Sequence, residues 1–225
     1  MILNYENFLN KKSYFCNTIP LSMAKKSAVQ YTLFQETVYE YFILLSPNDT
    51  IKEAVDGLKE QLHSLIGLED YNRRSLAHVS LLKQRATADN QVLKLVKKVA
   101  ASLEPFTIKL AGHEVLKHGG VSRTLCLKIE DPTPINNLME LLDPKPVAKR
   151  SYRQTSILDK PQRAKKVIHP HVTIARNIAT ADFERIEDFT PFDYQDEWLC
   201  DRITILRRLE GTNGIFSPVK EVMLG

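Results

Sequence analysis

Residues 170–175 read PHVTIA, and residues 77–82 read AHVSLL. Each places a histidine, a valine, a hydroxyl-bearing residue and an aliphatic residue in succession, with His171 standing 93 positions after His78. The chain has only six histidines. At average residue usage a histidine is followed by a hydroxyl at +2 and an aliphatic at +3 roughly one time in twenty. Two such settings among six are then a coincidence of roughly 3%. On a strand, side chains at i and i+2 share a face. His78 and Ser80 therefore project together, as do His171 and Thr173. The other face carries Ala77, Val79 and Leu81 in one case and Ile168, Pro170, Val172 and Ile174 in the other, which are core-like sets.

An imidazole gives or takes a proton near neutral pH, and a hydroxyl two residues away hydrogen-bonds a phosphoryl oxygen. One such strand is a weak signal, since a half-buried, satisfied histidine explains it as well. Two such strands facing across a groove supply a base, an acid and two phosphate ligands. In-line displacement at phosphorus needs that set.

Outward from these motifs the chain mixes strands and helices. VYEYFILLSP reads as a first strand, ended by Ser46-Pro47-Asn48. A helix follows, opened by a capping box from Thr50 to Glu53, with Ile51, Val55, Leu58, Leu62 and Ile66 on one face. The first motif strand comes next, then a helix with Val92, Leu95, Val96, Val99 and Leu103 on a stripe, stopped by Pro105. FTIKLAGHEVLK and SRTLCLKI alternate at period two about Gly119-Gly120, which predicts a hairpin. TPINNLMELL predicts a short helix, KVIHPHVTIARN the second motif strand, and 182–186 another short helix. DRITILRRLE and IFSPVKEVML predict the last two strands. Hairpins outnumber βαβ units, so the expected class is α+β with antiparallel sheets and helices on their outer faces. Two lobes are expected, divided near 105–145 and forming one domain over 36–225, with 1–35 an N-terminal extension.

Length and composition bound the rest. A chain of 225 residues with 43% apolar and 26% charged residues is that of an ordinary globular protein. Its longest strongly apolar run, Tyr41 to Leu45, is far short of the roughly 20 residues of a membrane helix. The N-terminus lacks the apolar core of about 7–15 residues that a signal peptide needs. Cys16, Cys126 and Cys200 are scattered, which fits a reducing cytoplasm better than a disulfide framework or a zinc site. The net charge of +4 is unevenly spread: residues 145–166 hold eight basic residues and one acid. A basic block on a near-neutral body suggests an anionic partner, although charge runs are often plain solvated surface.

The paired motifs resemble the HxT/Sx signatures of the 2H phosphoesterase superfamily, which includes the RNA 2′,3′-cyclic phosphodiesterases also known as 2′-5′ RNA ligases. YEYFILLSP is similar to that family's first strand, and PHVTIAR to its longer second signature, including Arg176. The resemblance runs from about Tyr39 to the C-terminus. It implies two pseudo-symmetric lobes of antiparallel sheet with outer helices, an active groove between them, and no metal or other cofactor. It carries His78, Ser80, His171 and Thr173 over as the functional positions, with Ser80 keeping the hydroxyl of the commoner Thr.

The function expected is hydrolysis of a 2′,3′-cyclic phosphate, on an RNA end or a nucleotide, to a phosphomonoester. His171 is the base that activates water and His78 the acid, while Ser80 and Thr173 hold the non-bridging oxygens. The basic 145–166 segment is a candidate substrate arm. Neither a membrane nor a DNA partner is expected. Further substrate contacts are assigned to His169 by parity, to Arg176 by the signature, and to Tyr41 as an aromatic that stacks on a base. Strict alternation puts Arg176 on the core side with Ile174, so it reaches the groove only if the strand ends or twists there. A metal site of His169, His171 and His78 lacks a carboxylate or Cys partner. His63, His113 and His118 show no partner pattern. Two rival readings are a non-catalytic RNA- or phosphate-binding module, and a 2H enzyme for another phosphodiester such as a 2′-5′ oligonucleotide or a cyclic ADP-ribose phosphate.

Overall fold

The computed structural model describes residues 37–143 and 169–225. The extension 1–35 and the basic segment 145–166 lie outside the described residues. In chain order the elements are β1 (Tyr39–Leu45), α1 (Asp49–Ile66), α2 (Asp70–Arg73), β2 (Val79–Ala86), α3 (Asp89–Ala100), β3 (Phe106–His118) and β4 (Ser122–Ile129). They continue with α4 (Thr133–Leu142), β5 (His171–Ala179), α5 (Thr180–Phe183), β6 (Gln195–Cys200), β7 (Arg202–Leu209) and β8 (Ser217–Met223).

The eight strands form one sheet in the order β6-β3-β4-β5-β2-β1-β7-β8. Every pairing is antiparallel, so the expected α+β class is what the chain adopts. The two expected lobes are the two four-stranded halves of this sheet, β2-β1-β7-β8 and β5-β4-β3-β6, but the chain does not divide them once near 105–145, because β7 and β8 return to the half built by β1 and β2. Each half presents its motif strand at the seam. The seam itself is thin: β2 and β5 share one registered pair, Val79 with Val172.

Helices hold the seam. α1 follows β1 in the first half yet packs on β5 in the second, and α4 follows β4 in the second half yet packs on β2 in the first. Their apolar stripes, including Ile51, Val55 and Leu62 on α1 and Ile135, Leu138 and Leu142 on α4, are fully or nearly fully buried. They meet the inward sides of the strands: Ile43 and Leu45, Val79 and Leu81, Val172 and Ile174. Burying one such side chain stabilises the fold by about 1.5–3 kcal/mol.

Three expectations change. α1 starts at Asp49, because the Asn48 side chain accepts the Ile51 backbone N–H at 3.0 Å. Asn48 is the cap in place of Thr50, since its extended backbone ends the Pro47 turn. α3 stops at Ala100, before Leu103. β6 was not expected: QDEWLC carries only three apolar residues, yet it pairs along β3, with Trp198 opposite Ile108. An edge strand bonded on one side tolerates that polarity.

Candidate active site

His78 immediately precedes β2, and His171 opens β5. An antiparallel ladder through Val79 and Val172 places Ser80 across from His171, and Thr173 across from His78. The four side chains line one groove of about 450 Å³. The intervening Val79 and Val172 are fully buried on the opposite face, as the alternation required.

Both imidazoles are held in the same way. Nδ1–H of His78 donates to the carbonyl of Leu76 at 2.8 Å, and Nδ1–H of His171 to the carbonyl of His169 at 2.7 Å. A carbonyl only accepts, so Nδ1 carries the proton and Nε2 is left to exchange one with a ligand. Burial lowers the pKa of His78 from the usual 6.5, the Leu76 carbonyl opposes this, and the charges of Arg176, Lys83 and Lys59 lower it further. The ring of Phe42 meets it edge-on, centroids 5.1 Å apart.

Arg176 lines the groove, despite the parity that put it on the core side. Two one-residue bulges in β5, opposite Arg123 to Cys126 of β4, break the alternation. Ile174 and Ala175 are both buried, so Arg176 turns outward, and Asn177 adopts φ 56°. Asn72 of α2 clamps this bulge. Its Oδ1 accepts the Arg176 N–H at 3.1 Å, and its amide donates to the Arg176 carbonyl at 3.0 Å.

Two other expected contacts are placed elsewhere. Tyr41 is fully buried on the helix side of β1, its hydroxyl donating to Asp89 at 2.7 Å. Burial and Asp89 push its pKa up to about 12. Phe42, one residue on, takes the groove position. His169 turns its ring away to Glu114, with Nε2 at 2.6 Å from Oε2, and it serves the site through its carbonyl. Among the described residues no three His, Cys, Asp or Glu side chains gather in a metal-ligand cluster.

The groove also holds residues that sequence reasoning missed. At the β1–β8 side stand Phe42, Phe216 and Lys83, with Lys83 Nζ 4.8 Å from the Phe42 centroid and 5.8 Å from that of Phe216. On the β3–β4 side, His118 shares a 2.9 Å hydrogen bond with Thr124 Oγ1. Phe216 and Asn72 carry no sequence signal. Lys83 does: it stands five residues after His78, as Arg176 does after His171. His113 and His63 have structural partners, Asp193 and the Leu68 N–H respectively.

An antiparallel sheet in two halves, with a His-x-hydroxyl strand from each meeting at the seam, is the arrangement that the resemblance to the 2H phosphoesterases implies. A family model, the 2′-5′ RNA ligase superfamily, matches residues 47–212, and the chain belongs to that family. No curated protein matches it. Among solved structures it is similar to TT0787 of Thermus thermophilus, with 17% identity, a TM-score of 0.58, and coverage of 82% of this chain and 97% of that one. It is also similar to E. coli LigT complexed with NADP+, with 16% identity, a TM-score of 0.53, and coverage of 83% and 98%. LigT complexed with 3′-AMP gives 15% identity and a TM-score of 0.52 over the same shares. At these identities the likeness is one of fold.

Proposed function

We propose that the chain hydrolyses a 2′,3′-cyclic phosphodiester, on an RNA end or a nucleotide, to a phosphomonoester, with two histidines and no metal. The observation that carries the reading is the pair of imidazoles, each with Nδ1 tied to a carbonyl and both lining one groove with the two motif hydroxyls. Water attacks phosphorus as one Nε2 takes its proton. The ribose oxygen leaves on the far side and takes a proton from the other imidazole. Ser80 and Thr173 donate to the non-bridging oxygens as charge builds on them.

His78 is the base and His171 the acid, the reverse of the assignment made from sequence. A base must be unprotonated to act, and burial with three cations nearby lowers the pKa of His78, which favours that form. Phe42 and Phe216 offer the nucleoside a stacking face in place of Tyr41. The LigT complexes with NADP+ and 3′-AMP support a nucleotide ligand for this fold. Cys126 and Cys200 are free, buried thiols with pKa pushed up to about 12, in keeping with a reducing cytoplasm.

The test is turnover of nucleoside 2′,3′-cyclic phosphates in the presence of chelator. Wild type turns over, and His78→Ala and His171→Ala each lose about 100-fold or more in kcat, the scale of a lost acid or base. A folded His171→Ala protein with near-wild-type kcat removes the mechanism.

A further inference from the structure

The two motifs are longer than four residues. His78 to Lys83 reads HVSLLK, and His171 to Arg176 reads HVTIAR. In both, a cation stands five positions after the histidine. On a regular strand an i+5 residue faces away from residue i. Yet both cations line the groove, because each strand bulges between histidine and cation. In β2 the ladder shifts at Leu81, where Ile43 pairs with Leu82 and Leu44 with Ser80. In β5 it shifts around Ala175. A bulge reverses the parity of the residues beyond it. The same device, placed in both strands, delivers one cation from each half of the sheet.

Among the described residues neither Lys83 nor Arg176 forms an ion pair with a carboxylate. This contrasts with the neighbours on β2 and β7, where Arg85 pairs with Glu210, Arg207 with Asp89 and Arg208 with Glu40. The Lys83 ammonium is held over Phe42, the ring that abuts His78. An unpaired ammonium in a groove, beside the residue that exchanges the proton, is disposed toward an anion rather than toward the surface.

We propose that Lys83 is a second phosphate ligand, the first motif's counterpart of Arg176, so that the reacting phosphoryl group is held by one cation from each half. The inference rests on the reading of the groove as a phosphodiester site. It assigns Lys83 a role in the chemistry. A cyclic diester carries one negative charge, whereas the transition state and the monoester product approach two. Two cations match the second condition better than the first, so Lys83 acts more on kcat than on KM. The cations facing His78 are Arg176 from β5, Lys83 from β2 and Lys59 from α1. Removing Lys83 therefore also makes His78 easier to protonate.

The experiment titrates wild type, Lys83→Met, Lys83→Arg, Arg176→Met and the double variant with inorganic phosphate and with 3′-AMP. It then measures the pH profile of kcat/KM on a nucleoside 2′,3′-cyclic phosphate. Lys83→Met and Arg176→Met are each expected to bind phosphate about tenfold more weakly, the loss of one charge-assisted contact. Lys83→Arg should restore most of the loss. The acid limb of the Lys83→Met profile should move to higher pH. Wild-type phosphate affinity and an unmoved limb in Lys83→Met, with Arg176→Met impaired, would overturn the proposal and leave the ammonium as packing over two rings. A wild type that binds neither probe overturns the phosphate-ligand role of both cations. Phosphate binding that depends on Lys83, without turnover of any cyclic phosphate, sustains the inference and removes the proposed reaction.

Discussion

At the scale of single residues, the site turns on the protonation of His78. Its pKa lies below the ordinary 6.5, chiefly through burial and then through Arg176, Lys83 and Lys59. The neutral form is the active one if His78 is the base. The rate then falls on the acid side, with a midpoint below 6.5. Folding stability shares the sign. In the unfolded chain the imidazole binds its proton at ordinary pH values, so falling pH favours the unfolded state through this group. The stabilising contribution is present above pH 6.5 and is lost as pH falls through the folded-state value. A kcat/KM profile beside an NMR titration of the imidazoles checks both. A profile that instead falls on the alkaline side with the His78 midpoint would return the acid role to His78. The sequence made the two histidines equivalent because spacing carries no burial.

At the scale of elements, the strands show what alternation can and cannot tell. It placed His78 with Ser80 and His171 with Thr173, and it put Val79 and Val172 behind them, because those short runs are regular. It failed for Arg176, where bulges intervene, and for Tyr41, since Tyr41 and Phe42 are both aromatic and only the sheet's register chooses between them, while Lys83 beyond the β2 bulge went unread. A bulge is set by partners distant in the chain, here α2, and no local pattern announces it. Asn72 is nearly fully buried and spends its amide on both backbone groups of Arg176. Its Ser75 neighbour in turn donates to the Asn72 carbonyl at 2.8 Å, and buried Lys59 bonds the Ser75 carbonyl. Asn72→Ala leaves two backbone groups without these partners and frees the bulge. It should cost about 1–3 kcal/mol of stability and also weaken phosphate binding. The discriminating measurement is a cycle with Arg176→Ala. If the clamp works by aiming Arg176, the affinity losses do not add, and the double variant binds as Arg176→Ala does. Additive losses would show that Asn72 acts on the ligand by another route. Asn72→Asp, which keeps the acceptor for the N–H but not the donor for the carbonyl, should fall between.

At the scale of the whole molecule, the proposed catalytic pair sits at the thinnest pairing of the sheet. β2 and β5 share one ladder pair, and their separation fixes the distance between the two imidazoles. A full ladder there would zip the motif strands together and bury the hydroxyls. A bare gap would let the halves drift and spoil a geometry in which misplacement by about 1 Å costs as much as 100-fold in rate. The crossing of α1 and α4 resolves this, since each helix belongs to one half in sequence and to the other in packing. The halves should therefore not unfold separately. Trp198, the single tryptophan, lies on β6 in the β5 half, so its fluorescence reports that half while far-ultraviolet dichroism reports both. In urea the two signals should coincide in wild type. Leu138→Ala, which removes a fully buried side chain from α4, should lower stability by about 2–5 kcal/mol while keeping them coincident. On the proposed mechanism the seam sets the spacing of the two histidines, so that variant should also lose kcat at temperatures where it is still folded. Transitions that separate in wild type would mean that the halves are independent domains and that the crossing helices do not couple them. A Leu138→Ala protein with lowered stability and unchanged kcat would mean that the motif strands alone fix the spacing of the histidines.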